Sequence, residues 1–381
     1  MSKLIFYMSQ VLYRKYRPKT FSEVEGQEHV VRTLQGALLS GRVGHAYLFC
    51  GPRGTGKTTM ARLLAKAVNC SDYRPPLTSD QLQKIPCNSC HSCVEINEGR
   101  SLDLIEIDAA SNRGIDEIRN LKDSATVAAP SGKYKVFIVD ECHMLTKEAN
   151  NALLKILEEP PSHVIFILAT TEPHKVFETI LSRVQRFDFK KISVEQIVEK
   201  LKRVSQAEKI NIEEPALWAL ATAASGSLRD AESALGKLIA YAGAEKITAK
   251  DAAEILGVVP LEIHEKLINF IAQKNPQEAI AQVSHLFESG VDLEYFTKQF
   301  VRYLRTLLIN HINSSPVLPN PALLTNLSAQ SSRNEKMGNP ATPEFLVRAI
   351  NLFVKAGTEL KSSPVPQLPL ELAILELTRD S

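Results

Sequence analysis

Two kinds of apolar patterning divide the chain. In the first half, short runs rich in β-branched and aromatic residues alternate with helical stretches: His45–Cys50, Leu104–Ile107, Val136–Val139 and Val164–Ala169. Each run is followed by a turn or helix signal. Near-continuous apolar strands alternating with helices predict an α/β fold, with a parallel sheet covered on both faces. Reactive residues of such sheets gather at the C-terminal ends of the strands. Gly51, Asp108, Asp140 and Thr170 fall there.

From about residue 193 the strand pattern stops. Val194–Ala207, Glu214–Ala224 and Leu228–Ala242 read as three helices, the last introduced by Gly226-Ser227. A second change comes near Gly257, after which the chain reads as helical to its end. Phe296, Phe300, Leu304 and Leu307-Leu308 trace an apolar stripe at helical spacing. Segment 313–342, rich in Pro, Ser and Asn, reads as a long loop, and helices resume over 343–360 and 369–379. The pattern therefore divides the chain at 1–192, 193–256 and 257–381. Two or three domains are what 381 residues ordinarily make.

Composition adds little beyond exclusions. With 44% apolar and 23% charged residues the chain is globular rather than disordered. A net charge of +2 neither requires nor excludes nucleic acid, because a local basic surface and helix N-termini can hold phosphates. No run approaches the roughly 18 apolar residues of a spanning helix, so no membrane is expected. The apolar stretch Leu4–Met8, ahead of Arg14-Lys15-Tyr16-Arg17, is shorter than the 7–15 residues, roughly, of a secretory core. The expected location is the cytoplasm, and Met8 offers an alternative start. Of the six cysteines, three stand at Cys87-x2-Cys90-x2-Cys93. In a cytosolic protein that spacing reads as metal binding before disulfides.

The chemistry is concentrated in two strings. Gly51-Pro52-Arg53-Gly54-Thr55-Gly56-Lys57-Thr58 is an intact G-x4-G-K-T, followed by Thr59. Its glycines let backbone N–H groups close around phosphate oxygens. Lys57 reaches the β- and γ-phosphates of ATP, and the Thr58 hydroxyl ligates Mg²⁺. An apolar run precedes it and an amphipathic helix with Met60, Leu63, Leu64 and Ala67 follows. The second string, Val136-Phe-Ile-Val-Asp140-Glu141, ends a buried strand in two carboxylates. In P-loop enzymes the first, Asp140, holds Mg²⁺. The second, Glu141, can act as general base on the attacking water. His143, just beyond, reads as a packing or switch residue. Cys50 ends an apolar strand and reads as packing.

Taken with these strings, Arg14-Lys-Tyr-Arg-Pro-Lys-Thr-Phe21, Gly26-Gln27, Asp140-Glu-Cys-His143, Asn151-Ala-Leu-Leu-Lys-Ile-Leu-Glu-Glu-Pro-Pro161 and Ala169-Thr-Thr-Glu172 resemble the AAA+ clamp loaders. Within them the similarity is to the gamma/tau type of the bacterial DNA polymerase III holoenzyme, and it runs through Pro364 and Leu370–Leu377. The resemblance implies an AAA+ ATP-binding domain over 1–192 with a zinc-binding insert at about 70–93, a three-helix lid over 193–256 and an all-α oligomerisation collar over 257–381, with ATP between the first two. It implies an ATPase that works with copies of itself and with delta and delta-prime type subunits. Together they would open a sliding clamp and place it on primer–template DNA. Nothing in the chain resembles a polymerase site.

Residue by residue, the resemblance makes Thr171, with Thr170 beside it, the first sensor of the γ-phosphate. Arg229, in Gly226-Ser-Leu-Arg-Asp230, becomes the second sensor. Arg183 of Ser182-Arg183-Val184 becomes the arginine offered in trans to a neighbouring ATP site, although the family has Cys where Val184 stands. Cys70, Cys87, Cys90 and Cys93 would hold a structural Zn²⁺ as four thiolates. Here 16 residues separate Cys70 from Cys87, a longer spacing than is usual, and His91 is the substitute ligand should Cys70 fail. Arg119 and Lys155 would face DNA phosphates. The competing readings are an ATPase-inactive stator, a hexameric helicase motor and a zinc-dependent DNA-binding protein, the last opposed by how small a part of the chain the cysteines occupy. Intact Lys57, Thr58, Asp140 and Glu141 oppose the first; the zinc insert and the collar oppose the second.

Overall fold

The structure, a computed structural model, describes residues 11–243, 245–257, 259–312 and 342–379. The expected loop 313–342, apart from Thr342, lies outside the described residues, as do Leu4–Met8. The described chain forms two compact units, residues 1–204 with 224–233 and residues 205–223 with 234–381.

The first unit is built on five parallel strands: β1 (Ala46–Cys50), β2 (Leu104–Asp108), β3 (Lys135–Asp140), β4 (Val164–Thr170) and β5 (Gln185–Asp188). Their order is β2-β3-β4-β1-β5. Side chains alternate between the faces of a strand, so each central strand feeds two cores. Tyr47, Phe49, Val136, Ile138, Ile165 and Ile167 pack on one face with helices Glu28–Ser40 and Lys57–Asn69. Leu48, Phe137, Val139, Phe166 and Leu168 pack on the other with helices Ile115–Thr126 and Lys147–Glu158. All of β1 and β4 is buried, which is why those runs carry no polar alternation. The four expected strands are present within a residue or so of their bounds. β5 was not expected: Gln185-Arg-Phe-Asp188 has no apolar run and earns its strand by pairing with β1 at the sheet edge.

Among its described residues the second unit has helices and no strand, apart from one isolated bridge between Ile212 and Ile247. The stripe Phe296, Phe300 and Leu304 is fully buried on helix Leu293–Ile312, with the Phe300 and Phe353 rings edge-to-face at 4.8 Å. Between residues 193 and 256 the three expected helices are joined by a fourth, Ala249–Leu256. Its signal stands in the sequence: Thr248 and Asp251 form a reciprocal capping box.

Candidate functional site

The P-loop joins the end of β1 to helix Lys57–Asn69. Two of its glycines are required by their surroundings. Gly51 has φ +148°, and a Cβ there would meet the Phe189 carbonyl at 2.5 Å. Gly54 has φ +74°, and a Cβ there would lie 1.9 Å from Ser227 Oγ. Without side chains the loop backbone closes against the start of helix Leu228–Ala242, whose Leu228 N–H donates to Gly54 O at 3.1 Å. Lys57 is buried inside the loop, its ammonium donating to Gly51 O (2.7 Å) and Pro52 O (2.9 Å). Burial lowers its pKa, and the charges of Glu141 and Asp140 oppose that shift.

β1 and β3 are brought into one site by β4 between them. Thr58 donates its hydroxyl to Asp140 Oδ2 at 2.9 Å, joining the two chemical strings directly. Glu141 follows with φ +49°, a left-handed conformation that non-glycine residues adopt at a cost. Its N–H is held by Asp140 Oδ1 at 3.0 Å. Its Oε2 accepts from Thr171 N–H (3.1 Å) and Thr171 Oγ1 (2.8 Å). His143, with 5% of its side chain exposed, has Nδ1 2.9 Å from Thr170 Oγ1 and 3.4 Å from Glu141. Its Nε2 lies 3.4 Å from Glu172, which is paired with Lys175. The two threonines at the end of β4 therefore divide their work, Thr171 gripping Glu141 and Thr170 gripping His143.

A cavity of about 480 Å³ opens above these groups. Arg53, Gly54, Thr55, Gly56, Lys57, Thr58 and Thr59 line it, together with Asp140, Glu141 and Arg229. Gly51 and Pro52 serve instead as anchors for Lys57, and Thr171 reaches the cavity only through Glu141. The Arg229 guanidinium sits over the Tyr13 ring, 4.9 Å from its centroid, so the basic N-terminal segment closes one wall.

Sequence reasoning missed Tyr13, Arg17, Lys200 and Glu232 in this lining. It also missed Gln27 as a bridge, accepting from Lys190 N–H at 3.1 Å and donating to Lys190 O at 2.8 Å. Glu232 had a signal, a carboxylate among Leu228, Ala231 and Leu235 on the apolar side of its helix. Burial pushes its pKa up from the usual 4.5 to about 7, against the pull of Lys200 and Arg17. A raised folded pKa means stability is full below about 4.5 and is lost as pH rises to about 7. Glu232→Gln is expected to abolish that decline in thermal-unfolding midpoints across the window. An unchanged decline would show that the carboxyl ionises freely.

Arg183 lies elsewhere. It precedes β5, whose pairing sets Gln185 level with Tyr47 at the start of β1, whereas the P-loop follows the end of β1. At roughly 3.3 Å per residue, the strand separates the two by about 15 Å. The guanidinium is held by Thr179 O (2.8 Å), Ser182 Oγ (2.9 Å) and Glu158 (2.8 Å). Arg119 and Lys155 are exposed on helices Ile115–Thr126 and Lys147–Glu158, with Arg119 paired to Asp116.

The sulfur atoms of Cys70, Cys87, Cys90 and Cys93 lie within 4.8 Å of one another. Zinc–sulfur bonds of about 2.3 Å in a tetrahedron place sulfurs roughly 3.8 Å apart, so the donor set fits a closed zinc site. The backbone N–H of Cys90 donates to Cys87 Sγ at 3.3 Å. His91 points away, 75% exposed and near Glu95, so Cys70 completes the cluster despite its distance in sequence. Cys50 and Cys142 are buried in the core beside the sheet.

Comparisons with known proteins are consistent across the chain. Residues 26–193 match the family described as DNA polymerase III, delta subunit. Residues 196–244 match the DNA polymerase III clamp loader subunit ATPase lid domain, and 247–381 match DNA polymerase III subunits gamma and tau domain III. The chain is 41% identical over 372 residues to DNA polymerase III subunit tau of Bacillus subtilis, covering 98% of this chain and 64% of that protein. Against the tau subunit of Escherichia coli the identity is 37%, over 96% of this chain and 55% of that one. DNA polymerase III subunit gamma of Buchnera aphidicola is 34% identical, with 97% and 98% covered. The chain thus spans less than two thirds of the tau subunits it matches. Among solved structures, the Thermotoga maritima RuvB Holliday junction branch migration motor aligns with a TM-score of 0.46 at 20% identity, over 67% of this chain and 79% of that one.

Proposed function

The chain belongs to the family of DNA polymerase III gamma and tau clamp-loader subunits, and from that premise we propose that it is the ATP-hydrolysing motor of such a loader. Its fold is that of an AAA+ ATPase, a parallel-sheet P-loop region followed by a helical lid and an all-α C-terminal region. In this reading ATP binding draws neighbouring subunits into an assembly that opens a sliding clamp on primer–template DNA, and hydrolysis releases the clamp. Partners are copies of the chain, delta and delta-prime type subunits, the clamp and DNA, in the cytoplasm. The domains run 1–192, 193–256 and 257–381.

One observation carries the reading: Thr58 donates to Asp140 at the mouth of a cavity that also holds Lys57 and Glu141. Lys57 and the loop N–H groups bind the phosphates. Thr58 and Asp140 would hold Mg²⁺, which when bound neutralises phosphate charge. Glu141 takes the proton of the attacking water, Thr171 senses the γ-phosphate through it, and Arg229 ties the lid to the nucleotide. Arg183 serves a neighbouring site. Cys70, Cys87, Cys90 and Cys93 hold a structural Zn²⁺, and Arg119 and Lys155 face DNA phosphates.

The decisive measurement is the steady-state ATPase rate of the assembled loader with and without sliding clamp plus primed DNA. Stimulation by the two together is expected. Lys57→Ala should remove nucleotide binding and all stimulation, because the β- and γ-phosphates lose their cation. A rate indifferent to both clamp and DNA would sink the clamp-loading role while leaving an ATPase.

A further inference from the structure

Lys66 lies on the P-loop helix, nine residues beyond Lys57, and is only 2% exposed. Its ammonium donates to Lys19 O (2.9 Å), Asn88 Oδ1 (2.8 Å) and Asn97 Oδ1 (2.9 Å). Three donors thus meet three neutral oxygens, and among the described residues no carboxylate comes within ion-pairing distance. A buried cation without a counter-charge is strongly unfavourable. Burial works against its charge and so does the Lys19 ammonium, while the Cys93 sulfur, then Glu23, then the Cys70 sulfur favour it. The Glu23 carboxylate keeps its charge but is held on the Lys19 N–H at 2.8 Å, and it forms no ion pair with Lys66. Neutral thiols would supply no charge, whereas four thiolates around a divalent ion carry a net negative one.

We propose that Lys66 is the counter-cation of a zinc tetrathiolate at Cys70, Cys87, Cys90 and Cys93, and that through Lys19 it ties the metal centre to the segment lining the nucleotide cavity. This rests on the zinc and nucleotide readings given above. The tie is explicit in the contacts. Asn88, between two of the cysteines with φ +58°, donates its amide to Lys19 O at 3.1 Å, and Asn97 donates to Asn88 at 3.3 Å. The Lys19 carbonyl is thereby held twice, from the P-loop helix and from the cysteine module. Its neighbours Arg17, Pro18, Glu23 and Val24 line the cavity. Metal binding that fixes Asn88 therefore fixes that wall, and by linkage nucleotide binding strengthens metal retention.

The test uses the full chain in two arms. In the first, zinc affinity is measured by competition with a chromophoric chelator for the unaltered protein, Lys66→Met and Asn97→Ala. Residues that support metal ligands from outside typically contribute 10–100-fold in affinity, so Lys66→Met should weaken zinc binding by about that range. Asn97→Ala, which keeps the charge, should fall less. In the second arm, the unaltered protein is stripped of zinc and titrated with a fluorescent ATP analogue. Affinity should drop several-fold and return when Zn²⁺ is restored, an arm that needs no substitution and so no assumption about variant folding. Zinc affinity of Lys66→Met within about twofold of the unaltered chain would overturn the counter-cation role, and unchanged nucleotide affinity after stripping would overturn the coupling. Purified protein that never binds zinc would instead overturn the metal reading itself, with ATP binding still intact.

Discussion

Glu141→Gln is expected to bind ATP as the unaltered chain does and to hydrolyse it about 10²- to 10⁴-fold more slowly. The substitution is close to isosteric and leaves Lys57, Thr58 and Asp140 in place, so the binding residues are untouched. The amide can still accept from Thr171, which in the structure donates both N–H and Oγ1 to Glu141. What it cannot do is take a proton from water. Equilibrium binding of a labelled ATP analogue and single-turnover hydrolysis separate the two effects. Hydrolysis near the unaltered rate would remove Glu141 from the role of base. Loss of binding would mean that its main work is structural, at the left-handed residue that follows β3.

The second large effect belongs to Arg183. Arg183→Ala should leave ATP binding to the isolated chain intact while lowering clamp- and DNA-stimulated hydrolysis by about 10³-fold or more, the scale of arginines supplied in trans. The topology argues against action in cis. Arg183 precedes β5 at the N-terminal edge of the sheet, and the P-loop lies at the C-terminal edge. Its present partners, Glu158, Thr179 O and Ser182, are all on its own edge. Mixing Arg183→Ala chains with Lys57→Ala chains makes the sharper test. Assemblies in which an intact arginine faces an intact P-loop should regain part of the stimulated rate. If every mixture stays inactive despite confirmed co-assembly, the trans assignment is wrong.

Much of the fold was legible because its signals are local. Strands buried on both faces must be apolar throughout, so Ala46–Cys50 and Val164–Thr170 declared themselves. The P-loop was equally legible, since glycines at fixed spacing are demanded by the backbone itself: Gly51 and Gly54 have no room for a Cβ. The acidic pair at the end of β3 could be placed by its apolar approach taken together with the P-loop earlier in the chain.

What tertiary structure decided was which distant groups share a site. Thr171 and Glu141 are 30 residues apart and meet because β3 and β4 run parallel as neighbours, ending together. Cys70 reaches Cys87 across 16 residues whose length says nothing of closure, and only the fold brings the sulfurs together. β5 is a strand because β1 offers it a free edge; its own residues show no strand pattern. Lys66 is an ordinary charge on an amphipathic helix until neighbouring elements cover it. The sequence by itself determined strands β1 to β4, most of the helices, the phosphate loop and the carboxylates, because periodicity and backbone demands act between near residues. The tertiary structure alone decided the partnerships, because hydrogen bonds and burial depend on what lies across space, and separation along the chain does not encode that.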